Sequence, residues 1–329
     1  MRIIDGHCDL LWRLWTKKYV EKGTLDRPFY KNADWLMVTK EKLKEGGVGL
    51  QACAIYISEE VARTRAFLTA LEMVDLFYTE VVSDEVMVIR GRKDLEEWEK
   101  SNRLGLILTM EGVEGTEGDF LKLHTLYHLG VRWVGLTHNP ANLVADGVGE
   151  ARGAGLSQLG REFVQELNRL QVAIDVSHLS ERGFWDVLEI SSQPVFASHS
   201  NAKSILPHRR NLSDVQISAL VSAGGLIGLT YAPHFTAATE KVTIDDLLRH
   251  VEHYCSLGAE KHIGLGSDFD GISKTIEGLE HSGKTAALVE KLLRHYDEKL
   301  VEGFLYRNYL EYLKKIWIDD HRYFRCEKS

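Results

Sequence analysis

Leu104-Gly105-Leu106-Ile107-Leu108-Thr109-Met110-Glu111 is an almost unbroken apolar run that stops at a carboxylate. A strand with one wet face alternates apolar and polar residues. This run does not, so it reads as a strand buried on both faces, the habit of parallel sheets covered by helices. Runs of the same kind recur near 2–9, 48–57, 132–138, 172–178, 194–199, 225–231 and 262–268. Helical patterns fill the intervals. Phe67, Leu71, Val74 and Tyr78 share one face, as do Leu159, Phe163, Leu167 and Leu170. Ser213 with Gln216, and Thr243 with Asp246, have the spacing of capping boxes that open two further helices. The stretch 288–317 is predicted helical, with a break around Gly303. Segment 10–47 is too long for a simple loop and is expected to carry a helix with small elaborations. Eightfold strand-helix alternation points to α/β architecture closed as a (β/α)8 TIM barrel; an open eight-stranded sheet is the alternative. No linker, low-complexity tract or repeat interrupts the chain. One domain over 1–329 is expected, with 10–47 elaborated and C-terminal helices at 286–317.

The bulk properties fit that reading. A length of 329 residues suits one such barrel, and 44% hydrophobic residues suffice for its core. The net charge of −8 gives no reason to expect nucleic acid or an anionic membrane as partner. The start reads as a buried strand rather than a secretory leader. No stretch suits a transmembrane span, and the tail 325–329 is no lipid-anchor signal. Cys8, Cys53, Cys255 and Cys326 are scattered without metal-site pairing, so reduced thiols and a cytoplasmic location are expected. Asn211-Leu212-Ser213 matches a glycosylation acceptor by chance on this reading. Whether the chain forms a homodimer is left open.

Chemistry concentrates where the apolar runs end. The first ends in His7-Cys8-Asp9, the third in Glu111, the fourth in His138, the fifth in His178, the sixth in His199 and the eighth in Asp268. In closed barrels the C-terminal strand ends form the active-site face, so these groups are aimed at one mouth. His7 and Asp9 are two apart and would point to the same side of a strand. Imidazole and carboxylate are good zinc ligands. His178 and His199 could hold a second ion, and Glu111 has two oxygens with which to bridge the pair. A lone strand-end histidine is more often structural, and Asp268-Phe269-Asp270-Gly271 taken alone could be only a turn. The coincidence at one end of successive strands favours a metal site. His124, His128, His250, His253, His281, His295 and His321 fall in helical or peripheral segments and are given no role. His208 and His234 lie in loops near the mouth.

The order and spacing of several motifs resemble those of the membrane (renal) dipeptidase family of zinc metallopeptidases, in a microbial cytoplasmic form. They are Asp5-Gly6-His7-Cys8-Asp9, Met110-Glu111-Gly112, Leu136-Thr137-His138-Asn139, Asp175-Val176-Ser177-His178, Ala197-Ser198-His199-Ser200, Arg209-Arg210-Asn211 and Gly266-Ser267-Asp268-Phe269-Asp270-Gly271. The resemblance covers residues 7 to about 317. It implies two Zn2+ per chain, one on His7 and Asp9, the other on His178 and His199, with Glu111 bridging. It makes Asp268 the acid/base residue and gives His138 and Arg210 to substrate binding. Glu114 competes for the bridge, but the separation of Glu111 from His138 suits the family better. Many barrels of the amidohydrolase type bridge their metals with a modified lysine at strand four; here His138 stands there and no lysine is near. The secreted mammalian members carry a leader, a lipid-anchor tail and disulfides, which this sequence lacks.

The expected reaction is hydrolysis of a dipeptide bearing a free C-terminal carboxylate, including L-Xaa-D-Xaa dipeptides, by a hydroxide between two metals. His138 would stabilise the oxyanion and Asp268 would carry the proton. Arg210 would clamp the carboxylate, with Arg209 as its rival. Tyr231, at the end of the seventh run, would line the pocket. Two other readings stay open: a deacylase or lactamase using the same metals on a non-peptide amide, and a catalytically silent barrel scaffold.

Overall fold

The apolar runs become parallel strands. In the computed structural model, which describes residues 1–318, they are β1 (Ile3–Asp5), β2 (Val48–Tyr56), β3 (Val86–Val88), β4 (Leu104–Glu111), β5 (Val131–Gly135), β6 (Ala173–Asp175), β7 (Phe196–Ala197), β8 (Leu226–Leu229) and β9 (Ile263–Leu265). Their order is β2-β1-β9-β8-β7-β6-β5-β4-β3, and an added β2–β4 pairing closes the barrel. Eight of the nine form the closed (β/α)8 ring. The ninth, β3, was not expected from sequence. It pairs with the first half of one β4 edge, Val86 opposite Leu104, while β5 takes the second half, Val131 opposite Leu108. Three residues are too few to display a period.

Alternation along each strand divides the core in two. Ile3, Leu106, Leu108 and Ile174 face outward into the layer of surrounding helices. Ile4, Leu50, Ala52, Ile107, Trp133, Ala173, Phe196 and Leu226 fill the barrel together with Tyr309, Tyr312 and Leu313 of the helix Asn308–Ile316. Tyr309 enters deepest, its ring stacked on Trp133 at 5.9 Å. A Cβ on Gly6 would lie 1.8 Å from the Tyr309 hydroxyl, and one on Gly264 2.3 Å from its ring. Only hydrogen side chains on the inner wall admit that tyrosine.

Both capping boxes form, Ser213 with Gln216 and Thr243 with Asp246. Segment 10–47 carries helices Leu10–Trp15 and Lys40–Gly46. The predicted break at Gly303 is displaced. Asp297 accepts Leu300 N at 2.9 Å and opens a new helix there, whereas the backbone winds on through Gly303 in a widened turn. Among the described residues no helix is long and apolar enough to cross a membrane, and Cys8, Cys53 and Cys255 are free thiols. Cys326, His321 and the tail 325–329 lie outside the described residues.

Candidate metal centre

Most of the strands stop short of the chemistry. β1 ends at Asp5, and His7 and Asp9 follow it in a segment held by a bridge from Cys8 to Phe269 and by Ala54 N of β2, which donates to Cys8 O at 3.0 Å. His138, His178, His199 and Asp268 likewise lie just past strand ends. The expectation that strand pleating aligns His7 with Asp9 is corrected accordingly: the loop after β9 aligns them, Asp9 N donating to Phe269 O at 2.9 Å. His178 and Asp268 have φ of 69° and 68°, a left-handed conformation that non-glycine residues adopt at a cost and that collects at functional sites. A Cβ on Gly271 would meet Asp9 Oδ2 at 2.1 Å, so this glycine lets the two loops close on each other.

Glu111, at the inner end of β4, is the common neighbour. Its Oε1 lies 2.9 Å from His178 Nε2, 3.4 Å from His199 Nε2 and 3.6 Å from His7 Nε2. His7 Nε2 is also 3.5 Å from Asp9 Oδ2 and 3.9 Å from Asp268 Oδ1. Three overlapping groups have donor atoms close enough to share an ion: His7, Glu111 and His199; Glu111, His138 and His178; His7, Asp9 and Asp268. Ligands about 2.1 Å from a tetrahedral ion stand about 3.4 Å apart, close to the separations of Glu111 from His7 and His199. Buried His7 Nε2 and Asp9 Oδ1 have no hydrogen-bond partner in the protein, which such a position requires to be met by something else. The residues fit bound metal.

Charge in the side chains alone points the same way. Burial opposes charge on His7, but the facing Glu111, Asp9 and Asp268 outweigh it and push its pKa up to about 10. His178 and His199 move the other way: burial, helped by Arg210 and neighbouring imidazoles, holds both well below the ordinary histidine value. They are therefore neutral and offer lone pairs, the form a metal takes. Asp268 is driven well above the carboxylate range by burial and by Asp9 and Glu111, against the pull of His7 and Arg210.

Supporting bonds orient the rings. His178 Nδ1 is 2.9 Å from Asn139 Oδ1, an acceptor that fixes the proton on Nδ1 and leaves the Nε2 lone pair toward Glu111 and toward His199 Nε2, 2.8 Å away. Asn139 Nδ2 stands 3.3 Å from His138 Nε2, leaving His138 Nδ1 as the buried ring nitrogen without a partner. His199 Nδ1 meets Ser198 Oγ at 2.7 Å, and Ser198 in turn bonds the buried Asp175. Asp5 accepts from Ser267 N at 2.8 Å and Ser267 Oγ at 2.6 Å, holding the loop that carries Asp268. None of Asn139, Asp175, Ser198, Asp5 or Ser267 was assigned a role from sequence. Asp5 and Asp175 did leave a trace, as carboxylates inside otherwise apolar strands.

The remaining candidates separate. Arg210 is 6% exposed, donates from Nη2 to His199 O at 3.2 Å and keeps a buried Nε without a partner; Arg209 is exposed. Glu114 turns from the centre, its Oε1 accepting from Asn142 Nδ2 at 2.9 Å. Tyr231 is 1% exposed, its ring edge-on to Phe269 in the core. His208 and His234 flank Phe235 at the edge of a separate cavity. His178 and Arg210 line one cavity of about 180 Å³, and His138 and Glu114 another of about 380 Å³.

Residues 1–319 match the family model described as membrane dipeptidase, peptidase family M19. A dipeptidase of Claviceps purpurea is 29% identical, covering 95% of this chain and 76% of its own. An uncharacterized dipeptidase of Schizosaccharomyces pombe is 28% identical over 95% of this chain and 80% of its own. Among solved structures, a metallopeptidase of Rhodobacter sphaeroides, liganded with a phosphinate mimic of the dipeptide L-Ala-D-Ala, superposes with TM-score 0.88 at 27% identity, over 96% of this chain and 99% of that one.

Proposed function

The chain belongs to the membrane dipeptidase family of metallopeptidases, and from that premise we propose that it is a zinc dipeptidase with two ions per chain. It would cleave dipeptides that end in a free carboxylate, L-Xaa-D-Xaa among them. The observation that carries this reading is Glu111, whose carboxylate is within reach of His7, His178 and His199 together. His7 and Asp9 would hold one ion, His178 and His199 the other, and Glu111 both; the nitrogen and oxygen donors suit zinc. When bound, the pair would polarise the scissile carbonyl and supply a hydroxide nucleophile at neutral pH.

The chain's own residues would do the rest. His138, with its unpartnered Nδ1, would donate to the carbonyl oxygen as negative charge develops there. Asp268 would accept the nucleophile's proton and deliver it to the leaving amine. Arg210 would take the substrate carboxylate on the side of its unpartnered Nε, a geometry in which a planar guanidinium outperforms an ammonium. Tyr231, expected from sequence to line the pocket, is buried against Phe269 instead and is given no part in the substrate wall. Acceptance of a D residue is supported by the L-Ala-D-Ala mimic in the Rhodobacter sphaeroides relative. The same reading takes 1–329 as one catalytic domain. Asp270, which accepts Met37 N at 2.8 Å and Val38 N at 3.0 Å, ties the 10–47 segment to the mouth and supports it. A cytoplasmic location is part of the proposal and rests on the free thiols.

Zinc titration of chelated protein tests the reading, with hydrolysis of L-Ala-L-Ala and L-Ala-D-Ala followed at each addition. Activity should rise to a plateau at two equivalents. Full activity in metal-free protein overturns it. Glu111→Gln should lower zinc content at both sites while Glu114→Gln leaves it intact; the reverse moves the bridge to Glu114.

A further inference from the structure

Asp175 ends β6, buried, and carries more bonds than a strand end needs. Its Oδ1 accepts from Ser177 N and Ser198 N, each at 2.9 Å, and its Oδ2 accepts from the Ser198 hydroxyl. Ser177 precedes His178 and Ser198 precedes His199. One carboxylate thus sets the backbone at both proposed ligands of the second ion. Asp5, at the end of β1, does likewise for His7 N and Ser267. The two arrangements differ in one respect. Beyond its carboxylate, Ser267 Oγ reaches a backbone oxygen, His7 O, at 3.1 Å, whereas Ser198 Oγ reaches a ring nitrogen, His199 Nδ1, at 2.7 Å.

That contact has a direction. A carboxylate only accepts and a hydroxyl has a single proton, so the Ser198 proton points to Asp175 and Ser198 Oγ receives one from His199 Nδ1. The neutral ring then carries its lone pair on Nε2, which stands 3.4 Å from Glu111 Oε1 and 2.8 Å from His178 Nε2. Asn139 sets the same tautomer in His178. Two lone pairs therefore face each other beside a carboxylate, and a cation is the partner that satisfies all three. Resting on the two-ion reading, we propose that Asp175 and Ser198 are positioning residues for the second ion. Through the hydroxyl, the buried carboxylate fixes the His199 tautomer and makes that ring a stronger ligand.

Chelator competition, giving a dissociation constant for each zinc equivalent, tests this. Ser198→Ala removes the link and should weaken one equivalent by about 10–100-fold while sparing the other. Ser198→Thr keeps the hydroxyl and should recover most of the loss. Asp175→Asn, although nearly isosteric, should do more harm. The two N–H groups at Oδ1 oblige the amide to place its oxygen there, so its NH2 faces Ser198 and donates. The serine proton then turns to His199 Nδ1 and the ring must carry its own on Nε2, where zinc would bind. One equivalent should weaken by about 100-fold or more, and 15N spectra of the zinc-free protein should move the His199 proton from Nδ1 in wild type to Nε2 in the variant. Should Asp175→Asn fold poorly, the Ala and Thr variants at Ser198 and the wild-type spectrum decide. Unchanged zinc affinity in Ser198→Ala, a milder loss in Asp175→Asn than in Ser198→Ala, or an Nε2 proton in wild type overturns the inference and leaves the dipeptidase reading in place. A wild type that binds no zinc overturns that reading and the inference with it.

Discussion

Asp268 is held in a left-handed conformation between His7 and Arg210, outside the ligand pairs assigned to the metals. Asp268→Asn keeps its size and removes its capacity to take a proton. Zinc content is expected to persist while kcat falls by on the order of 10²–10⁴; loss of zinc on metal analysis would instead make Asp268 a ligand. Arg210→Met should weaken L-Ala-L-Ala and L-Ala-D-Ala alike, by about 1.5–3 kcal/mol in kcat/KM, because both epimers present the same carboxylate. A loss confined to one epimer would show that the side chain governs selection. The donors themselves were legible in the sequence, since an imidazole or carboxylate that ends an apolar run stands out. Their supports were not. Asn139 acts on two rings through one amide, and an asparagine in a loop carries no mark of that in a linear text.

Elements were legible where a period had length to show itself. β4 spans the residues expected of it, and both capping boxes fall where Ser213 and Thr243 announce them. The strands of two or three residues were over-read, because an apolar run continues past the ladder into loops that are themselves buried. β3 was too short to see at all. The helix Ile244–Ser256 supplies a feature visible only in three dimensions. His250, wholly buried, accepts Ala202 N at 3.0 Å through Nδ1 and has Nε2 2.9 Å from Thr236 O. Burial lowers its pKa to about 4, below the ordinary 6.5 that it regains on unfolding. The unfolded chain therefore binds the extra proton first, and this contribution to stability, full above pH 6.5, is lost as pH falls through 4. It amounts to about 3 kcal/mol at most. Urea denaturation between pH 7 and 4 should show a shallower decline in His250→Gln than in wild type; parallel declines would remove His250 as a source.

At the scale of the whole molecule, the barrel is filled partly by residues that follow all of the described strands. Trp133, Phe196 and Leu226 close their core on Tyr309, Tyr312 and Leu313. Removing the chain from Asn308 onward should leave a protein that aggregates or binds a hydrophobic dye, judged by gel filtration and fluorescence, even though every proposed metal ligand is retained. A folded, zinc-binding truncation would show that the inner layer can do without this helix. The glycines at Gly6 and Gly264 carry a further consequence for biosynthesis. Their inner wall is shaped to a tyrosine that leaves the ribosome only after all nine strands have done so. A nascent chain with its ligands already made still has an apolar lumen open at the base. The helix Asn308–Ile316 thus acts as a stopper, and the inner layer packs as in the native state only once that helix has been made.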